Sequence, residues 1–255
     1  AKVLTSKVSP AAGFLAAAKK VLRISNLKPK DVDFIIHGTT LATNAIIERK
    51  GAKTALLTTD GFTDSLEIAY EHRFEQSDLF MERPKPLVPR HLRLGIKERI
   101  AADGSILIPL DMRSVEEAVV KCREEKVEAI AIGFLHCYAN DEHEKSVKSF
   151  IRKTLPDVPI SISSQVSPEI REYDRLSTTV ANAYILPLMK TYLENLGAAL
   201  VKQGFSAPLL LMMSSGGMTT LETAKPVPRR LVESGPAGGA ILSRIISAEC
   251  GLPQV

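Results

Sequence analysis

Hydrophobic and polar positions follow two distinct periods along this chain. Residues 10–22 place Phe14, Leu15, Ala18, Val21 and Leu22 three and four apart, the spacing that gathers apolar side chains on one helix face. A strand over 1–8, "AKVLTSKV", precedes that helix. "DVDFIIHGTT" concentrates its apolar residues in a short run ending in small polar ones, which predicts a buried strand feeding a turn. "LATNAIIERKG" predicts a helix closed by Gly51 in left-handed geometry. "KTALLTTDGF" predicts the next strand, so a β-α-β unit of a parallel sheet is expected.

Pro84, Pro86 and Pro89 break the pattern within 63–109, leaving an irregular connection before a strand near 92–100. "ADGS" then predicts a hairpin turn into "ILIPL". Alternation resumes with a helix over 114–125, the strand "EAIAIGFLH", the helix "DEHEKSVKSFIRKTL" capped by Asp141, and the strand "PISISSQVS". A long helical pattern from "TTVANAY" to "ALVKQG" is bent or reset at Pro187. "PLLLMMSSGGM" closes this part as a strand entering a Gly-Gly turn. The order predicts an α/β fold in two lobes, divided within 107–113, without internal repeats.

Composition narrows the partners. Hydrophobic residues make up 45% of the 255, enough for a sizeable core. The net charge of +4 is spread over both signs without a long like-charge run, so neither nucleic acid nor a membrane surface is expected as partner. Aromatics are 5% and Trp is absent, which gives little support for stacking on bases. Cys122, Cys137 and Cys250 are far apart and leave one unpaired in any disulfide scheme, which predicts a reducing, cytoplasmic setting. No apolar run approaches the roughly 18 residues of a membrane span, and no secretory leader pattern opens the chain. A start without Met, and a stop just after a helical pattern, predict a piece of something longer.

Four stretches carry candidate chemistry. "HGTTLATNAIIE" ends a strand in Gly38 and places Thr39, Thr40, Thr43 and Asn44 at the start of a helix. Strand carboxyl ends and helix N-termini favour ligands and anions, although the same hydroxyls serve as caps. "EIREYDRLSTTVANAY" sets Arg171, Glu172, Asp174 and Arg175 before a helix whose first turn is expected to hold Ser177, Thr178 and Thr179. An Arg there pairs with a carboxylate or phosphate, or joins a solvated ion-pair cluster. "MMSSGGM" and "RRLVESGPAGGAILSRII" are two glycine-rich transitions suited to a site of backbone N–H groups, and neither fits the P-loop or dinucleotide pattern. His136 and His143 bracket Cys137 across a strand-to-helix boundary, so no metal site is predicted. No G-x-S-x-G elbow is present, which disfavours a hydrolytic triad and leaves the catalytic residues unassigned.

Taken in order, "HGTTLATNAIIERKGAKTALLTTDGF", "RPKPLVPRHLRLGIKERIAADGSILIPLD", "FLHCYANDEHE", "EYDRLSTTVANAYILPLMKTYL", "LMMSSGGM" and "ESGPAGGA" cover nearly the whole chain. The series resembles the large subunit of the hydantoinase A (N-methylhydantoinase A-like), 5-oxoprolinase and acetone carboxylase family. That resemblance implies the actin-like ATPase superfamily, with two ribonuclease-H-like lobes of mixed sheets flanked by helices and ATP with Mg2+ between them. It assigns 1–110 to an N-terminal hydantoinase/oxoprolinase-type region and 111–255 to the start of the core ATPase-like domain.

The family's two phosphate hairpins, G-G-T-x-T-D and D-x-G-G-T-S-x-D, are missing, so the isolated chain is expected to bind no nucleotide and to be inactive alone. The implied activity is ATP-dependent opening of a cyclic amide such as hydantoin, N-methylhydantoin or 5-oxoproline, in an oligomer with a B-type subunit. Ketone carboxylation and a non-catalytic actin-like module are the alternatives. On this reading Thr39, Thr40, Thr43, Asn44, Arg171, Asp174 and Arg175 line the substrate cleft. Ser214, Ser215, Gly216, Gly217, Ser234, Gly235, Gly238 and Gly239 lie near nucleotide. The glycines of "ESGPAGGA" then serve close helix packing at least as much as phosphate contact.

Overall fold

The computed structural model describes residues 1–4, 10–70 and 75–252. Helical apolar spacing yields helix α1 (Pro10–Ile24), strand β1 (Ile35–His37) follows, and helix α2 (Leu41–Ile47) opens at the Thr40 cap position. Residues 1–4 carry no strand, and the rest of the strand expected over 1–8 lies outside the described residues. These elements belong to a first unit, Ala1–Glu48 with Leu188–Val255, whereas Arg49–Pro187 forms a second. The expected division at 107–113 falls inside that second unit.

In the second unit come β2 (Thr54–Thr59), the one-turn helix α3 (Ser65–Ile68), β3 (Arg93–Ile96), β4 (Arg99–Ile100) and β5 (Ile106–Ile108). Helix α4 (Met112–Glu124), β6 (Ala129–Gly133), α5 (Glu142–Thr154), β7 (Ile160–Ile162) and the short α6 (Ser163–Val166) continue it. Its main sheet is all parallel in the order β3-β2-β6-β7. Every residue of β2 and β6 is buried, as central strands covered on both faces require. Leu56, Leu57, Ile130, Ile132, Val147, Ile151 and Ile162 centre the core.

Local signals resolve as physical chemistry dictates. The Asp103-Gly104 turn, with Gly104 at φ 86, joins β4 and β5 as an antiparallel hairpin. Helix α4 begins two residues ahead of its predicted start, and Asp111 caps it, accepting from Arg113 N at 3.0 Å. Asp141 occupies the α5 cap position but binds Lys145 at 2.9 Å, and the Asn140 side chain accepts from Glu142 N instead.

Gly51 does not close α2. Arg49 takes the left-handed geometry, at φ 55. Gly51 is small because the Tyr184 ring packs where a Cβ would stand, 2.2 Å away. Helix α7 (Glu172–Lys202) passes through Pro187 without a reset and starts before "STT". Glu172, Asp174 and Arg175 therefore occupy its first turn, and Ser177, Thr178 and Thr179 do not.

The part of α7 after Pro187 belongs to the first unit, as do β8 (Leu209–Met212), β9 (Met218–Thr220), α8 (Leu221–Ala224) and α9 (Ser234–Glu249). Here the sheet is mixed: β1 runs parallel to β8, with Ile35 opposite Leu209, and β9 returns antiparallel. The strands β1 and β2 thus lie in different sheets, so the expected β1-α2-β2 crossover does not form. Leu193, Leu196, Leu200 and Leu211 are buried in this unit. Among the described residues no helix is long and apolar enough to cross a membrane.

Candidate functional site

Because β1 and β8 run parallel, their carboxyl ends share one edge of the first unit's sheet. Such an edge is where open α/β sheets leave room for ligands. A cavity of about 590 Å3 lies there, lined by His37, Gly38, Thr39 and Thr40 after β1 and Met212 at the end of β8. Ser234, Gly235 and Gly238 of α9, Tyr192 of α7, and Val3, Leu4, Phe14 and Ala17 complete it. One wall is hydrocarbon; the other offers hydroxyls, an imidazole and the first turn of a helix.

Hydrogen bonds hold this polar wall in place. Thr39 Oγ1 accepts from Leu41 N at 3.2 Å, and Ser234 Oγ donates to the Thr39 carbonyl at 3.2 Å. Thr43 Oγ1 accepts from Glu233 N at 3.0 Å, steadying the left-handed Glu233 (φ 62) from which α9 starts. A non-glycine residue in that region is strained, and such strain gathers at functional sites. His37 Nε2 and the Tyr192 hydroxyl lie 2.7 Å apart, and Phe14 packs edge-on to the imidazole at 4.8 Å between centroids. Burial lowers the His37 pKa from 6.5 to about 4. Burial raises that of Tyr192, with the neighbouring Thr39 hydroxyl opposing the rise. Both rings are therefore neutral at neutral pH.

The first and fourth stretches of the sequence thus meet around one cavity, through Thr39, Thr40, Ser234, Gly235 and Gly238. Asn44 donates to Thr40 Oγ1 at 3.4 Å from one turn along α2. The glycine-rich stretch is not a loop: Gly235, Gly238 and Gly239 lie in the first turns of α9. Nor does packing within this unit demand glycine there. A Cβ would come no nearer than 3.5 Å at Gly235 and 4.0 Å at Gly238, and would meet nothing within 4 Å at Gly239. Ser214, Ser215, Gly216 and Gly217 form the β8–β9 turn, with Gly216 at φ 82 and Ser214 N bound to the Arg230 carbonyl at 2.8 Å. They do not line the cavity.

In the second unit the structure places Arg175 against main-chain carbonyls. Its side chain is fully buried and donates to the carbonyls of Glu169, Ile170 (3.0 Å) and Phe134 (3.1 Å), with the guanidinium 5.6 Å from the Tyr138 ring centroid. It anchors main chain, while its buried Nε has no hydrogen-bond partner among the described residues. Asp174 accepts a hydrogen bond from the Tyr70 hydroxyl, while Arg171 is exposed.

The sequence reading missed the polar network at the carboxyl edge of this unit's sheet. Glu98 accepts from Thr59 and lies 2.8 Å from His143 Nδ1. Glu144 accepts from Ser163 Oγ at 2.6 Å, Ser164 N at 2.9 Å and Phe134 N at 3.3 Å. Missed too were His37, at the polar end of an apolar strand, and Tyr192, within α7. Among the described residues no three His, Cys, Asp or Glu side chains converge as a metal-ligand group, so these residues do not fit a divalent cation unaided.

Comparison with known proteins places this geometry. A family profile described as "Hydantoinase/oxoprolinase N-terminal region" matches residues 1–155, and one described as "Hydantoinase/oxoprolinase" matches 175–254. The caprolactamase subunit alpha of Pseudomonas jessenii is 38% identical over 227 residues, covering 88% of this chain and 33% of that protein. The crystal structure of the ATP-dependent caprolactamase from Pseudomonas jessenii superposes with a TM-score of 0.81 at 35% identity, over 92% of this chain and 35% of that one. A nucleotide-free acetone carboxylase structure gives 0.84 at 25% identity, over 98% and 37% respectively. The chain thus spans about a third of the length of these three relatives.

Proposed function

The chain belongs to the hydantoinase/oxoprolinase family, and from that premise we propose that it is part of an ATP-dependent enzyme that opens a cyclic amide by phosphoryl activation of the carbonyl. An amide carbonyl is a poor electrophile, and phosphorylating its oxygen creates a leaving group. ATP, when bound, supplies that phosphoryl group. The cavity's residues suit both ends of such chemistry. Phe14, Ala17 and Met212 present hydrocarbon to a ring, while the first turn of α9 and the Thr40 hydroxyl offer donors to an anion.

The observation that carries this reading is the set of glycines in α9. A glycine inside a helix costs about 1 kcal/mol relative to alanine, and packing in this unit requires none of the three. Close approach of a ligand to the backbone supplies the missing reason. Thr43 and Asn44 then act by holding Glu233 and Thr40, and Arg171 and Asp174 remain proposed cleft residues. Mg2+, a B-type partner subunit within an oligomer, and a cytoplasmic setting complete the proposal. The division into a region over 1–110 and a core domain from 111 is part of it.

The resemblance to acetone carboxylase favours a second reading, phosphoryl-activated carboxylation of a ketone. The discriminating experiment uses full-length protein with its partner subunit. Phosphate release from ATP is followed with hydantoin, 5-oxoproline, a caprolactam, and acetone plus bicarbonate. Stimulation by a cyclic amide is expected; stimulation by the ketone alone selects the carboxylase, and no stimulation by either class overturns the enzyme reading.

A further inference from the structure

Within the second unit a cavity of about 370 Å3 opens beside α3, and small-molecule sites run from about 300 to 1,000 Å3. Leu66, Ala69, Tyr70, Pro84, Pro86 and Tyr173 wall it with hydrocarbon and aromatic rings. Tyr70 and Tyr173 meet edge-on, 5.0 Å between centroids.

Internal bonds shape this wall without a ligand. The Tyr70 hydroxyl donates to Asp174, which stands behind the ring and does not line the cavity. Arg83 donates to the Ile68 carbonyl, and Arg49 to the Lys85 carbonyl at 2.5 Å. Ala69 between them sits at φ 51 and ψ −128, a geometry that strains any residue but glycine and persists only where its surroundings enforce it.

Charge decides the class of ligand. Among the described residues lining the cavity Glu67 is the only acid, and it is committed to Arg93 at 2.7 Å. Arg83 keeps donors beyond the one bound to Ile68, because a guanidinium carries five N–H groups. Among the described residues the Lys85 ammonium has no ion-pair partner. The uncommitted charge is therefore positive, which disfavours a cationic ring and favours an anionic one.

We propose that this cavity binds a small cyclic or aromatic carboxylate, its ring against the tyrosines and prolines and its oxygens on Lys85 and Arg83. The site lies wholly in the second unit and is independent of the cavity at the β1–β8 edge.

The test is ligand-observed NMR titration of full-length protein with benzoate, benzamide and benzylamine, which share a ring and differ in charge. Benzoate is expected to bind saturably and about tenfold more tightly than either of the others. Lys85→Gln should weaken benzoate about fivefold, the worth of one exposed charge pair, and leave benzamide unchanged. Tyr70→Ala, which removes a ring already 42% exposed, should weaken both alike. Benzamide or benzylamine binding as tightly as benzoate overturns the carboxylate assignment. Benzoate binding that neither substitution changes, or no saturable binding, overturns the site. ATP-coupled turnover enters none of these readouts, so failure of the functional proposal leaves them standing.

Discussion

Both units end their parallel strands in polar residues, yet they use them in opposite ways. In the second unit long side chains, Glu98, His143, Glu144 and Arg175, reach across the carboxyl edge and bind Thr59, Ser163 and the main chain. All of them are buried. In the first unit the same edge carries Thr39, Thr40, Ser234 and glycines, too short to fill the space, and a cavity of about 590 Å3 remains. Both edges bind their polar side chains within the protein, Thr39 and Ser234 included, so open space distinguishes the first edge from the second. Side-chain length separates the two outcomes.

The largest effect that sharpens this contrast is predicted for Glu144→Ala. It strands two buried donors and a half-buried one, and the unfolding free energy from urea titration should fall by about 3–5 kcal/mol. Thr40→Val on the open edge should change it by less than about 1 kcal/mol. A similar loss at both positions would erase the distinction.

The next effect is set by pH. His37 has its pKa lowered from 6.5 to about 4 in the folded chain, so the unfolded chain binds the extra proton first as pH falls. The resulting destabilisation is absent above about pH 6.5, grows as pH drops, and is complete below about pH 4. There it reaches about 3 kcal/mol. Wild type and His37→Gln should therefore differ in pH slope across that window, and parallel stability curves would refute the burial account.

Glycines give a smaller and signed comparison. Gly51→Ala places a methyl group 2.2 Å from the Tyr184 ring and should destabilise by about 1–3 kcal/mol. Gly239→Ala meets nothing within 4 Å and should stabilise by up to about 1 kcal/mol. Thermal unfolding of the two variants checks both signs.

Much of this organisation was legible in the sequence where the cause is local. The spacing of Phe14, Leu15, Ala18, Val21 and Leu22 gives α1, and Asp103-Gly104 gives the β4–β5 hairpin, whereas the Asp111 cap of α4 shows only in the folded chain. Partner choice was not legible. A strand as short as Ile35–His37 pairs with Leu209–Met212, far along the chain, and no local pattern encodes that. Arg175 shows the same limit. Its charge suggested a ligand, whereas only the folded chain reveals the carbonyls of Glu169, Ile170 and Phe134 around it. The site residues Thr39, Thr40, Ser234, Gly235 and Gly238 were readable as two separate stretches, and the parallel β1–β8 pair brings them to one cavity.

The central claim is that the first unit's edge is kept open for a ligand. It is tested most directly by ATP-coupled phosphate release from full-length protein carrying Gly235→Ala, assayed with its partner subunit and the cyclic amide that gives the highest wild-type rate. A methyl group at that position makes only ordinary contact with Thr40, so folding stability should hold or rise by up to about 1 kcal/mol while turnover falls by about tenfold or more through lost backbone contact. Wild-type turnover in Gly235→Ala, with stability unchanged, would contradict the claim.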